Sequence, residues 1–95
     1  MEKVYCVSVR IDCDEWFDTR EIETEYHPTT LFKTMESASK YIKLLHDNFS
    51  NEFPELNHSV TEKHACIWED KPKYASVDYN PLKIWIGLKE LYIHD

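Results

Sequence analysis

The sequence predicts an α+β domain in which one long amphipathic helix packs on a mostly antiparallel sheet of four to five strands, in the order β-β-α-β-β-β. Several segments alternate apolar and polar residues with a period of two, which is typical of half-buried strands. Only one segment repeats apolar residues every three to four positions, as an amphipathic helix does. The links between strand-like segments are too short for parallel crossovers. At 95 residues the chain has the length of a single domain, residues 1–95.

The first predicted strand runs from Lys3 to Cys13. One side of it carries Tyr5, Val7, Val9, Ile11 and Cys13. The other side carries Ser8, Arg10 and Asp12, with Val4 and Cys6 at its start. This alternation indicates a strand with one face toward a core. A polar break over residues 14–18 ends it.

A second alternation after the break predicts the other arm of a hairpin. Ile22, Thr24 and Tyr26 share one face, and three glutamates share the opposite face. Charged residues in a row are typical of an edge strand that faces water. The stretch His27-Pro28-Thr29-Thr30 is expected to end this strand, because proline cannot donate to a ladder.

The helix is predicted near residues 35 to 50. Thr34 is a good N-cap because its hydroxyl can accept a hydrogen bond from an amide of the first turn. Apolar residues then recur at spacings of three and four and form one stripe. The members of the stripe are Met35, Ala38, Ile42, Leu45 and Phe49.

Three further strands are predicted in the second half of the chain. They are Val60–Trp68, Tyr74–Tyr79 and Leu82–Leu88, and Leu91–Ile93 either extends the last one or forms a terminal turn. Turn signals at Asp70–Lys73 and at Asn80-Pro81 separate them. The residues that we expect to be buried are Val7, Val9, Ile11, Met35, Ala38, Ile42, Leu45, Ile84 and Ile86.

Composition excludes several classes of site. The chain has one glycine, Gly87, whereas the dinucleotide fingerprint, the phosphate loop, the nucleophile elbow and the GXXG loop each need at least two. Three cysteines are an odd number for a disulfide framework, and no apolar leader follows Met1. We therefore expect no disulfide and a cytoplasmic location. The longest apolar run, Ile84–Leu88 counted with Gly87, has five residues, against about 20 for a membrane span.

Histidine and cysteine residues raise the question of a metal or a nucleophile. His64 and Cys66 share one face of a predicted strand, with His58 nearby, but the spacings of closed zinc sites are missing. An EF-hand alignment that begins at Asp12 fails because Phe17 stands where the loop needs glycine. We therefore expect a protein that is not an enzyme and that holds no structural metal and no cofactor.

The negative charge of the chain is concentrated in one segment. The whole chain carries −7, and residues 12–25 carry −6 from seven acids and one arginine, which leaves −1 for the remainder. Nucleic acids and anionic membranes both attract basic patches, so we expect direct binding to neither. We interpret this acidic segment as an epitope whose aromatic residues anchor it and whose acids complement a basic protein surface. The predicted partner-binding residues are Asp12, Asp14, Glu15, Trp16, Phe17, Asp18, Glu21, Glu23 and Glu25.

The stretch FKTMESASKYI, residues 32–42, resembles the helix entry of many small proteins of phages and mobile elements. These proteins also often open with a short strand like Lys3-Val4-Tyr5-Cys6-Val7. The resemblance names no single family. It implies that a short acidic protein of this kind inhibits a host defence complex that handles nucleic acid, as anti-CRISPR and anti-restriction proteins do, some by mimicking DNA charge. The location would then be the host cytoplasm.

Three other interpretations stay open at this point. The first is a small-molecule or nucleotide-binding domain with a pocket between helix and sheet, which an enclosed polar cavity would favour. The second is an enzyme that uses Cys66 and His64, which a lowered cysteine pKa would favour. The third is a solvated hairpin whose aromatic residues fold back onto the sheet. Trp85 shares a strand face with two lysines. Either the hairpin covers that face, or Trp85 is exposed and available for a contact.

Overall fold

The computed structural model describes residues 2–12, 29–71, 73–74 and 81–94. Within these ranges one helix of 18 residues accompanies a five-stranded antiparallel sheet, which confirms the α+β class. The elements in chain order are β1 (Glu2–Asp12), β2 (Thr29–Phe32), α1 (Met35–Glu52), β3 (Asn57–Val60), β4 (His64–Trp68) and β5 (Lys83–Ile93).

The sheet has the strand order β2-β1-β5-β4-β3, and each neighbouring pair is antiparallel. Its centre is the pair β1 and β5, which runs from Glu2 opposite Ile93 to Asp12 opposite Lys83. The strands at the two edges, β2 and β3, have four residues each. Short edge strands offer few unpaired backbone groups to other chains.

α1 begins and ends with defined caps. The Thr34 hydroxyl accepts a hydrogen bond from the Ser37 amide at 3.1 Å and so satisfies one amide that the first turn leaves without a helical partner. At the other end the Phe53 amide donates to the Phe49 carbonyl at 2.8 Å. The helix therefore starts at the predicted residue and continues two residues past the predicted end.

One face of α1 and one face of the sheet share a hydrophobic core. Burying an aliphatic or aromatic side chain of this kind stabilises the fold by roughly 1.5–3 kcal/mol. The predicted helix stripe lies in this core except Met35, which is half-buried at the start of the helix. Val9 and Ile11 are also half-buried, because they pack at the margin of the core. The buried apolar residues are Val7, Ala38, Ile42, Leu45, Phe49, Ala65, Ile67, Leu82, Ile84 and Ile86.

The second strand differs from the prediction. Thr29 and Thr30 were expected to end a strand, and they instead begin β2, which pairs with Tyr5–Ser8 of β1. The physical reason is that Thr29–Phe32 is rich in β-branched and apolar residues, and a proline that precedes a strand removes none of its ladder donors. The predicted arm over residues 22–26 lies outside the described residues.

The predicted strand Val60–Trp68 is two strands, β3 and β4, joined by a turn. The Thr61 amide donates to the His64 carbonyl at 2.7 Å, and the His64 amide donates to the Thr61 hydroxyl at 3.1 Å. A threonine side chain that replaces a backbone partner in this way stabilises a turn without glycine or proline. The prediction missed the turn because it carries neither of those residues.

The last strand confirms one of the two open interpretations, since β5 continues through Leu91 to Ile93. The predicted strand Tyr74–Tyr79 falls almost wholly outside the described residues, and Tyr74 itself lies in a turn. In the described part of the chain, no helix is both long enough and apolar enough to cross a membrane.

Candidate interaction surface

The sheet has two different faces. The face that carries Val7, Ile84 and Ile86 packs under α1. Alternate residues of the same strands point to the other side, on which none of the described helices or strands packs. We call this side the open face. Its residues on the three central strands are Val4, Cys6, Ser8, Arg10 and Asp12 of β1, Lys83, Trp85, Gly87, Lys89 and Leu91 of β5, and His64, Cys66 and Trp68 of β4.

An aromatic and cationic cluster, which consists of Arg10, Lys83 and Trp85, occupies one end of the open face. The guanidinium carbon of Arg10 is 5.2 Å from the centre of the Trp85 ring, and the ammonium nitrogen of Lys83 is 5.9 Å from it. Trp85 still keeps 36% of its surface exposed. Cation–π contacts limit the orientations of an exposed tryptophan, so less freedom is lost when the ring contacts a partner.

The acidic segment begins at this same end of the sheet. Asp12 is the last residue of β1, is half-buried, and lies opposite Lys83 of the cluster. Residues 13–28 connect β1 to β2, so the segment is attached to two strands that are neighbours in the sheet. The hairpin, its aromatic tip and the other predicted partner-binding residues lie outside the described residues. They are Asp14, Glu15, Trp16, Phe17, Asp18, Glu21, Glu23 and Glu25.

Toward its opposite end, the open face carries several exposed apolar residues. Leu31 of β2 is 60% exposed, Leu91 is 38% exposed and Ile93 is 46% exposed. Val4 lies opposite Leu91 in the ladder and is half-buried beside it. This end therefore has apolar surface available for contact, and Lys89 and Glu2 are charged residues on the same face.

His64 and Cys66 lie together on the open face, and the surroundings of Cys66 do not favour its thiolate. Burial raises the pKa of the Cys66 thiol, and the nearby Lys83 opposes this shift only in part. A reactive cysteine needs the opposite shift, toward the thiolate. Across the described residues, no hydrogen bond joins the His64 ring to Cys66, and the His64 backbone bonds to Thr61.

His58 is not part of the same group. It lies opposite Ile67 and so faces α1, on the side of the sheet away from His64. There its Nδ1 atom is 3.0 Å from Nε2 of His46, a helix residue whose exposed fraction is 5%. The candidate cluster of His58, His64 and Cys66 is therefore not assembled, and the structure forms a histidine pair in its place.

Sequence reasoning missed His46. The signal was present, because His46 follows Ile42 by four residues and precedes Phe49 by three, which places it on the buried stripe of the helix. A buried histidine needs hydrogen-bond partners. His46 has Asp47, whose carboxylate lies 3.0 Å from its Nδ1 atom, and His58 on the other side of the ring.

A groove of about 750 Å³ lies between the first half of α1 and the turn that joins β3 to β4. Its lining includes the apolar residues Met35 and Val60 and the charged residues Lys40 and Glu62. The Ser39 hydroxyl donates to the Glu62 carbonyl at 2.8 Å and ties the helix to the turn. The groove is open to solvent, so it lacks the enclosure that would favour the pocket interpretation.

A scan against protein-family models and searches of curated proteins and of solved structures find no match to this chain.

Proposed function

We propose that this chain is a non-enzymatic protein-binding module that presents its acidic segment to a basic surface of a partner protein, with Trp16 and Phe17 as anchors. The observation that carries the proposal is the net charge of −6 in residues 12–25, in a chain whose remainder carries −1. Like charges held close together repel one another in the free protein. A partner that supplies positive charge relieves that repulsion.

The scaffold supports this proposal. The acidic segment leaves the sheet from β1, a central strand, and returns through β2, its direct neighbour. Contact residues that rise from rigid strands lose less freedom on binding than residues on a free tail. Trp85 lies near the start of the segment and adds an exposed aromatic residue of the type that dominates many interfaces.

In its most specific form, the proposal makes the partner a host defence complex that handles nucleic acid. Such complexes hold DNA or RNA in channels lined by lysine and arginine. Carboxylates of the acidic segment would occupy positions that phosphates otherwise take, and the aromatic anchors would bind the apolar wall. The resemblance to small phage proteins supports an inhibitor of the anti-CRISPR or anti-restriction type.

Capture from a bacterial lysate with charge-matched variants tests the proposal. The acidic-segment variant carries E21Q, E23Q and E25Q, and the control variant carries E36Q, E55Q and E62Q on exposed sites elsewhere. Both variants change the net charge by the same amount. We expect wild type and the control variant to capture the same partner, and the acidic-segment variant to lose it.

The same experiment separates the proposal from its main alternative. Glu36 and Glu62 line the groove beside α1, which is where the small-molecule-binding interpretation would place a ligand. Loss of the partner in the control variant, with capture retained in the acidic-segment variant, would move the function to the groove and overturn the proposal.

A further inference from the structure

We propose that His46 and His58 form an open binding site for a divalent transition-metal ion of the zinc class, between α1 and β3. The two ring nitrogens that face each other, Nε2 of His46 and Nδ1 of His58, are 3.0 Å apart. The rings are tilted by 50° with their centres 5.0 Å apart. Two imidazoles from separate elements thus converge on one point at the edge of the core.

Asp47 gives the pair an arrangement that histidine metal sites commonly have. Its carboxylate is 3.0 Å from Nδ1 of His46, the nitrogen that faces away from His58. A carboxylate only accepts hydrogen bonds, so it holds the ring proton on Nδ1 and leaves the Nε2 lone pair directed at His58. Carboxylates that bond the outer nitrogen of a liganding histidine fix its tautomer and orientation in this way.

The helix holds this arrangement in place. Only 7% of the His46 side chain is exposed, and Lys43 binds Asp47 from the preceding turn at 3.1 Å. The Ser50 hydroxyl lies 3.4 Å from Nε2 of His46, on the following turn. His58 is exposed on the edge strand β3, so its ring has room to adjust.

The spacing fits a metal after a small movement. Nitrogens bound to Zn²⁺ at about 2.0–2.1 Å with a tetrahedral angle are roughly 3.3–3.4 Å apart. Rotation of the exposed His58 ring increases the distance between the two nitrogens to this value. A neutral His58 ring also moves its proton from Nδ1 to Nε2, which frees the lone pair that binds the ion.

Two imidazole ligands decide the class of ion and the character of the site. Imidazole suits zinc, copper and nickel, whereas Mg²⁺ and Ca²⁺ prefer oxygen ligands. Among the described residues, no third histidine, cysteine or carboxylate completes a cluster. Water fills the remaining positions, so the ion is exchangeable and is not needed for folding.

Calorimetric titration of the untagged, metal-free chain with Zn²⁺ tests the proposal. We expect one Zn²⁺ per chain and no heat of binding with Mg²⁺. His58→Gln should weaken Zn²⁺ binding at least about 10-fold, and Asp47→Asn should weaken it by about 10- to 100-fold because the His46 ring loses its orientation. His64→Gln is the matched control, since His64 lies beside Cys66 on the open face, and it should bind Zn²⁺ as wild type does.

Three results would overturn the site: no Zn²⁺ binding by wild type, unchanged affinity in His58→Gln, or an equal loss in His64→Gln. A second measurement avoids variants altogether. In a backbone NMR spectrum of wild type, added Ni²⁺ should broaden the amides around residues 46 and 58 first. Broadening centred on residues 64–66 would place the ion on the open face and contradict the proposal.

Discussion

Asp47 joins the exposed surface of α1 to its buried stripe. Its carboxylate accepts from His46, which lies on the buried side, and from the Lys43 ammonium at 3.1 Å. The hydrogen bond from His46, and then the one from Lys43, hold the pKa of Asp47 below its ordinary value of 3.8. The ionised carboxylate is therefore favoured in the folded chain, and its contacts depend on pH.

Acid titration of stability tests this contact. Because the pKa of Asp47 is lower in the folded chain, its contribution is present above pH about 4 and is lost as the pH falls through the folded value. We expect the free energy of unfolding of wild type to fall more steeply below pH about 4 than that of Asp47→Asn. Asp70→Asn, at an exposed aspartate away from the helix, is the control. Parallel curves for wild type and Asp47→Asn would contradict the account.

Contacts between residues that are far apart in the sequence could not be predicted from it. The alternation of β5 places Trp85 on the polar face of its strand, and 36% of its surface is exposed. Its contact with Arg10 was not predictable, since it requires the register of β1 against β5, seventy-five residues away along the chain. The His46–His58 contact joins a helix to β3, and the sequence pattern predicts a strand that starts at Val60, whereas β3 starts at Asn57.

At the scale of elements, α1 is the part that local rules predict best. Its start, its cap and its buried stripe follow from capping and from a period of three to four residues, both of which are local properties. The strands β1 and β5 follow from alternation in the same way. The strand β2 could not be predicted in this way, because four residues are too few to show a clear alternation. The turn between β3 and β4 could not be predicted either, because a threonine side chain stabilises it in place of glycine or proline.

A matched pair of leucines tests the packing of α1. Leu45 is buried in the core, whereas its neighbour Leu44 is 54% exposed. Leu45→Ala should lower the free energy of unfolding by about 2–5 kcal/mol, since it removes buried surface and leaves a cavity. Leu44→Ala should change it by no more than about 0.5 kcal/mol. Denaturant unfolding measures both, and equal losses in the two variants would contradict the packing described here.

At the scale of the whole molecule, the two ends of the described chain pair at the centre of the sheet. β1 and β5 form the longest ladder, and the acidic segment leaves that ladder at Asp12. This pairing is non-local, so the composition and periodicity of the sequence do not specify it. They do specify the charge distribution, because residues 12–25 carry a net charge of −6 and the rest of the chain is nearly neutral.

The aromatic anchors are expected to control how long a complex lasts. Trp16→Ala should raise the dissociation rate and cost about 2 kcal/mol or more if the residue is a central hot spot. Trp85→Ala should have a smaller effect in the same direction, because the cluster lies at the margin of the proposed footprint. Tyr74→Ala, at a residue that is 92% exposed, is the control. An unchanged dissociation rate in both tryptophan variants would show that neither tryptophan anchors the complex.

Recognition of a basic partner by the acidic segment predicts a particular kinetic signature. Exposed charges steer encounter and are screened by salt, whereas apolar anchors act mainly after contact.

The most direct test is the association rate with the captured partner, measured across a series of NaCl concentrations. For wild type and for the E36Q, E55Q and E62Q variant, we expect a rate that falls steeply with salt. For the E21Q, E23Q and E25Q variant, we expect a slower rate with a flatter dependence on salt. The same rate and the same salt dependence in all three proteins would contradict the claim.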